Sequence, residues 1–452
     1  MNLEIFKAYD IRGVYPKDLD KEAAYKIGRG LVVFLNKASK GKKKIVVGRD
    51  NRISSPLLAK ALKEGAKKEG ADVIDIGLST TPMFYFAVKR LRADGGAMIT
   101  ASHNPPKYNG IKAVKQQGVN IAKGTGGEEL KKIVEKEQFS ENKKTGKEKK
   151  VNVLSDYLKF NFKFIDDKKI APLKIVVDTA NAVSSLLIPR FQKKFKKIKF
   201  YHLFSKLDGN FPNHDPDPLI KENLKALTKE VTKRKADFGV AFDGDGDRII
   251  FVDEKGKQID GDIITALVAK IILEKRKGEK ILFDIRSSKI VKETIKKFGG
   301  KPYISKTGHS FIKPKMLKYN IYFGGEVSGH YYLGENNAFE TPLFVLFKVI
   351  EEISKEKKSF SEILKPFQKY VNSGEINFKI EDRKSAVKKV ENYFKKIGLK
   401  ISKLDGVKGE GKDFWCLVRP SNTEPLLRMV VEAENKKILK EKVKEIKNVI
   451  LK

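Results

Sequence analysis

Cysteine is nearly absent from this 452-residue chain. The single Cys416 excludes a disulfide framework and any site built on several thiolates. Long apolar runs are also missing. Stretches such as Thr341 to Phe347 fall far short of the ~20 residues that a membrane-spanning helix needs. The start, Met-Asn-Leu-Glu-Ile-Phe-Lys with Asp10 soon after, has no apolar core of a secretory signal, so a cytoplasmic location is expected. Arginine is scarce as well, 14 of 94 basic residues against 80 lysines. The net charge of +37 invites a nucleic-acid reading, but such surfaces lean on arginine for bidentate contacts. A lysine-biased solvated surface that helps attract small anionic substrates is the favoured reading, and no specific nucleic-acid partner is expected.

What is present is a soluble, foldable composition: 40% hydrophobic and 33% charged residues. Strand, loop and helix alternate along most of the chain. Strands are predicted at Lys44–Val47, Val73–Ile76, Ala97–Thr100, Lys174–Val177, Phe238–Phe242, Ile249–Val252 and Lys280–Asp284. Helices are predicted after Ser55-Pro56, with Ser55 as cap, from Ser184, and over Ile263–Leu273. This is the pattern of α/β units with mostly parallel sheets. The last ~85 residues read instead as an α+β block, with strands near Ile401–Leu404, Phe414–Val418 and Leu426–Glu432 and a helix over Lys436–Leu451. The Lys/Glu-rich segment Glu135–Lys150 reads as a linker, and further boundaries fall near Glu254–Gly256 and Val371–Gly374. Four domains are therefore expected: 1–150, 151–253, 254–369 and 370–452.

Each domain carries one loop with chemistry in it. Thr100-Ala-Ser-His-Asn-Pro-Pro106 follows a strand, so Ser102 could present its hydroxyl as a nucleophile. Asp243-Gly-Asp-Gly-Asp-Arg248 alternates carboxylates with glycines, letting Asp243, Asp245 and Asp247 converge on one hard cation. The spacing to Glu254 mimics a calcium-binding EF-hand. Arg248 at the position reserved for glycine, and apolar strands rather than helices on both sides, reject that reading. Gly324-Gly-Glu-Val-Ser-Gly-His330 offers Glu326 and Ser328 to sugar hydroxyls and His330 to proton transfer. Arg419-Pro-Ser-Asn-Thr-Glu-Pro425, with Arg428 beyond it, joins a guanidinium fork to neutral donors and reads as a phosphate clamp. Thr307-Gly-His309 is a fifth candidate.

In this order the loops closely resemble the α-D-phosphohexomutase family over essentially the whole chain. Tyr9-Asp-Ile-Arg-Gly13, Tyr108-Asn-Gly-Ile-Lys112 and Asp208–Pro218 extend the likeness. The Gly-Glu-Val-Ser-Gly-His form is similar to the phosphomannomutase/phosphoglucomutase branch; the alternative is a phosphoglucosamine mutase. The resemblance implies three similar α/β domains with mixed, mostly parallel sheets plus a smaller C-terminal α+β domain around a central cleft. It implies a phosphoserine at Ser102, Mg2+ held by Ser102, Asp243, Asp245 and Asp247, and a hexose 1,6-bisphosphate activator and intermediate. Tyr9, Arg12, Arg286, Glu326, Ser328, Arg419, Ser421, Asn422, Thr423 and Arg428 would bind a phosphorylated hexose. Lys112 and His330, with His309 in support, are the proton-transfer candidates, and Arg248 stands beside the metal. Lys112 would need a lowered pKa to act as a base, which nearby cations could supply. A monomer or weak homodimer is expected. A Mg2+-dependent phosphatase is the competing enzyme class, and a nucleic-acid-binding protein the competing non-enzyme.

Overall fold

The computed structural model describes residues 1–38, 41–140, 144–421 and 426–451. Four sheets follow one another along the chain. In the first, the order is Ile11–Val14, Tyr108–Lys115, Gly95–Ile99, Lys44–Arg49, Asp72–Leu78 and Glu148–Lys150. In the second it is Gln258–Ile259, Ile249–Asp253, Phe238–Phe242, Leu173–Asp178 and Ile198–Leu203. In the third it is Lys301–Ser305, Lys280–Asp284, Phe323–Gly325, Tyr331–Leu333 and Phe339–Glu340. All three share one plan. Three adjacent strands run parallel, extended in the first sheet by Glu148–Lys150 at the edge, and the strand at the other end of the parallel set turns back into an antiparallel neighbour. The fourth sheet is antiparallel throughout, built on Val407–Glu410, Phe414–Pro420 and Leu427–Ala433 and covered by helices Arg383–Lys396 and Lys436–Leu451. Three mixed α/β units and a distinct C-terminal α+β unit are thus the observed architecture.

The repeat reaches individual side chains. The strand Lys44–Arg49 is followed by Asp50, and its equivalents in the second and third units end at Asp178 and Asp284. The Oδ1 of each aspartate accepts the backbone N–H two residues on, from Arg52 (3.0 Å), Ala180 (2.8 Å) and Arg286 (2.7 Å). This local turn lets a strand stop without orphaning its next donor.

Three expectations need correction. Glu148–Lys150 is not linker but an edge strand, pairing with Asp72–Leu78 although all three of its side chains are exposed. Ser55 is not the helix cap. Ser54 holds the cap position without a side-chain bond, while the Ser55 hydroxyl donates to Asp50 Oδ1 at 2.5 Å. A carboxylate is the stronger acceptor, and it redirects the hydroxyl. The strand expected at Ile401–Leu404 is Lys400–Ser402.

Buried polar contacts join the units. Lys313 meets Glu340 at 2.7 Å and Asn120 at 3.1 Å, and stands 3.9 Å above the Tyr85 ring, so it pins the third unit to the first. Lys408 lies 3.7 Å above Trp415 and donates to the Ile285 carbonyl at 2.9 Å, docking the fourth unit beside Arg286. Burial pushes the Lys408 amine down to about 8. Among the described residues, no helix is long and apolar enough to cross a membrane.

Candidate active site

The shared plan explains why the loops meet. Ser102, the aspartate triad and Glu326–His330 all lie in the turn between the third parallel strand of a unit and its antiparallel partner. That is the C-terminal end of a parallel strand, where α/β sheets place ligands.

Ser102 is buried and has φ of +51°, a left-handed conformation uncommon for a residue with a Cβ. Its N–H donates to Thr100 Oγ1 at 2.9 Å, and its hydroxyl donates to Asp243 Oδ2 at 2.8 Å. The aspartate loop is pressed against it: a Cβ at Gly244 would stand 2.3 Å from the Ser102 carbonyl oxygen, so only glycine fits there.

Asp243, Asp245 and Asp247 are all buried, with one oxygen from each within 4.8 Å of the others. Asp243 Oδ1 accepts the N–H groups of Asp247 and Arg248, which closes the loop. Asp245 Oδ2 accepts from Thr81 Oγ1 at 2.6 Å, but its buried Oδ1 has no hydrogen-bond partner. Burial, then the charges of Asp247 and Asp245, push the Asp243 carboxyl well up. Burial acts on Asp247 too, but Lys112 and His330 outweigh it and hold that carboxyl down. A cluster of hard oxygen donors with an orphaned carboxylate oxygen fits a divalent cation such as Mg2+.

Lys112 reaches into the same cluster, 2.7 Å from both Asp245 and Asp247. Burial lowers its pKa, but the two carboxylates outweigh burial and leave it well above its ordinary value. This is the opposite of the lowered pKa that a base role requires. Its immediate neighbours are anions, not the expected cations.

The third loop joins from the other side. His330 Nε2 is 3.3 Å from Asp247 Oδ1 and 3.4 Å from Arg248 Nε, and its Nδ1 is 3.0 Å from Ser328 Oγ. Arg248 Nε stands 3.8 Å from Asp243. The buried Glu326 carboxylate accepts from Tyr332 at 2.5 Å and from the Gly308 N–H at 3.0 Å. The His309 ring packs against Tyr9, tilted by 55° with centroids 5.6 Å apart, and its buried Nε2 has no hydrogen-bond partner. Burial, then Lys313 and Lys112, hold its pKa well down, so the imidazole is neutral. Arg12 donates to Asn104 at 2.8 Å and pairs with Asp10. Arg286 is paired with Asp284 at 2.8 Å and lies 3.8 Å from Glu326.

In the fourth unit Arg419 and Arg428 face each other across adjacent strands, a repulsive placement unless an anion bridges it. Glu375 supplies one, 3.5 Å from Arg419 and 2.9 Å from Arg428. The Ser421 N–H donates to the Leu426 carbonyl, closing the loop at its base. Asn422 and Thr423 lie outside the described residues. Burial works against the Arg286 charge, but Asp284, Glu326 and Glu375 outweigh it, so this fourth site is felt electrostatically by the third.

Sequence reasoning missed Thr81, Glu375 and Arg52. Thr81, at the start of helix Thr81–Arg90, braces Asp245 from another unit. Glu375 left no motif. Arg52 did leave one, since Asp50-Asn-Arg52 and Asp284-Ile-Arg286 have the same spacing after equivalent strands.

The chain is similar to known proteins over nearly its full length. Family models described as phosphoglucomutase/phosphomannomutase alpha/beta/alpha domains I, II and III match residues 3–141, 153–256 and 260–370, and the C-terminal domain model matches 375–449. The phosphomannomutase of Methanocaldococcus jannaschii is 42% identical, covering 100% of this chain and 98% of its own. The phosphomannomutase of Escherichia coli K12 is 36% identical over 95% of each. The crystal structure of a phosphoglucomutase/phosphomannomutase family protein from Burkholderia thailandensis superposes with a TM-score of 0.90 at 32% identity, covering 100% of this chain and 97% of the other. The four matched domains, in order and over nearly the full length, make this chain a member of the phosphoglucomutase/phosphomannomutase family.

Proposed function

We propose that this cleft interconverts hexose 1-phosphate and hexose 6-phosphate, of mannose, glucose or both, through a phosphorylated Ser102 and a bisphosphorylated hexose. Family membership supports phosphohexomutase activity, and full-length similarity to phosphomannomutases supports mannose phosphate as a substrate. The single observation that carries the phosphoserine reading is the Ser102 hydroxyl 2.8 Å from Asp243, inside a triad of buried carboxylates. Structural relatives of low identity have been crystallised with glucose 1,6-bisphosphate and with magnesium, in keeping with the same ligands here.

Bound by Asp243, Asp245, Asp247 and the Ser102 phosphate, Mg2+ would neutralise charge on the phosphoryl oxygens. The residues of this chain do the rest. The clamp of Arg419, Ser421, Asn422, Thr423 and Arg428 grips the phosphate already on the sugar. Glu326 and Ser328 orient the ring hydroxyls, with Tyr9, Arg12 and Arg286 nearby. The free sugar hydroxyl attacks the phosphorus on Ser102. The new O–P bond forms as the bond to Ser102 Oγ breaks, and the hydroxyl proton passes to His330 or the neutral His309. Lys112 and Arg248 stay charged and stabilise the transferring group. The bisphosphorylated hexose then turns end for end, and the other phosphate returns to Ser102.

The test is conversion of mannose 1-phosphate and glucose 1-phosphate to the 6-phosphates with a trace of bisphosphate and without stoichiometric phosphate release. Stoichiometric release would make the protein a phosphatase and overturn the proposal. Within this scheme Arg419→Ala should lower kcat/KM about 10- to 100-fold, the loss of one charge-assisted contact. KM should rise and kcat fall together, because the clamp both binds and aims the sugar. Arg419→Lys should fall between, keeping charge but losing the fork. Impairment of one direction only, at equal driving force, would rule out a single shared clamp.

A further inference from the structure

We propose that Arg52 is the positioning residue that holds Ser102 in line for phosphoryl transfer, an inference that rests on the phosphoserine reading above. Arg52 is fully buried, and all five of its N–H donors are used. Nε donates to Asp50 Oδ2 at 3.2 Å. The other four bonds go to backbone carbonyls of the serine loop: Ser102 at 2.8 Å, Asn104 at 2.6 Å, Pro105 at 2.8 Å and Tyr108 at 3.1 Å. A guanidinium is rigid and planar, so four carbonyls fixed to one fork are fixed to one another. The bond to the Ser102 carbonyl acts on the residue whose φ of +51° must be sustained, and a left-handed backbone persists only where its surroundings enforce it.

The second unit closes on Arg52 from behind. Phe211 stands over the guanidinium, 5.0 Å from ring centroid to Cζ. Gly209 packs so closely that a Cβ would lie 2.5 Å from the Asn51 carbonyl oxygen and 2.6 Å from the Ile53 nitrogen. The same segment reaches the metal loop: Asp217 lies 3.9 Å from Arg248, and Pro216 lies 3.2 Å from where a Cβ on Gly244 would be. The stretch Asp208–Pro218 therefore braces the serine loop and the aspartate loop together. The topologically equivalent Arg286 makes the same aspartate pair but lies near Glu326 in the substrate cleft, whereas Arg52 is turned into the back of the loop.

Arg52→Lys keeps the charge and replaces five fixed donors by three on a flexible stem. Arg52 touches no substrate, so KM for hexose phosphate should stay within about 2-fold. kcat should fall about 10²-fold, the scale of a small misalignment of reacting groups. Transfer from glucose 1,6-bisphosphate to Ser102 in a single turnover should slow equally, while Mg2+ affinity stays unchanged. An unchanged kcat, or a loss shared between KM, metal affinity and kcat, would overturn the assignment. If Arg52→Lys does not fold, Phe211→Leu carries the test: a lower kcat at constant KM is expected, and an unchanged kcat is the contrary result. Wild-type protein is run in parallel. Failure of wild type to take phosphate on Ser102 would defeat the phosphoserine reading, whereas normal wild-type labelling with a fully active Arg52 variant would defeat only the role of Arg52.

Discussion

Ser102→Ala should abolish mutase turnover by at least about 10³-fold while leaving the folded structure intact, the scale seen when a nucleophile is removed from a preorganised site. The oxygen that leaves is the one 2.8 Å from Asp243, and His103 is its other close side-chain neighbour, with Nδ1 3.3 Å away. Alanine keeps the loop's backbone bonds to Arg52 and Thr100, so the change is confined to the hydroxyl. In the proposed mechanism water or another residue cannot take over, because there the phosphate is stored on the enzyme while the sugar turns. KM for hexose phosphate should stay close to the wild-type value if residual activity can be measured, since the clamp is untouched. Substantial turnover by a folded Ser102→Ala protein would remove the phosphoserine from the mechanism.

Asp245→Asn should be nearly as damaging. Its Oδ1 is one of two triad oxygens without a hydrogen-bond partner, Asp247 Oδ1 being the other, and Oδ2 is held by Thr81 and Lys112. The amide can still accept from Thr81 but brings no charge to a hard cation. A Lewis-acid contribution of several kcal/mol is at stake, so kcat should drop about 10²- to 10³-fold at fixed Mg2+. The Mg2+ concentration for half-maximal activity should rise as well. Chelation of divalent metal should silence the wild-type enzyme, and added Mg2+ should restore it. Full activity of the wild type in metal-free buffer would refute the role given to the triad.

The parts of this molecule that were legible in the sequence are those whose chemistry is local. Strands such as Phe238–Phe242 are apolar runs ended by glycine and aspartate, and the triad announces itself because its three carboxylates lie within five residues. The unread parts depend on distant partners. Lys112 is held charged by Asp245 and Asp247, more than 130 residues away in sequence, so its pKa direction could not be inferred from its own motif. Arg52 bonds backbone carbonyls 50 to 56 residues on, and a carbonyl carries no residue-type signature. Glu148–Lys150 resembles a linker because an edge strand pairs through its backbone and is protected by the charges that made it look unstructured.

The most direct measurement is to incubate the wild-type protein and Mg2+ with glucose 1,6-bisphosphate carrying labelled phosphate, map the label by peptide, and then add unlabelled hexose 6-phosphate. Label should appear on the peptide bearing Ser102 and move onto the sugar at a rate no slower than kcat. An active enzyme whose Ser102 peptide stays unlabelled, or whose label leaves only as inorganic phosphate, would contradict the phosphoserine mutase mechanism.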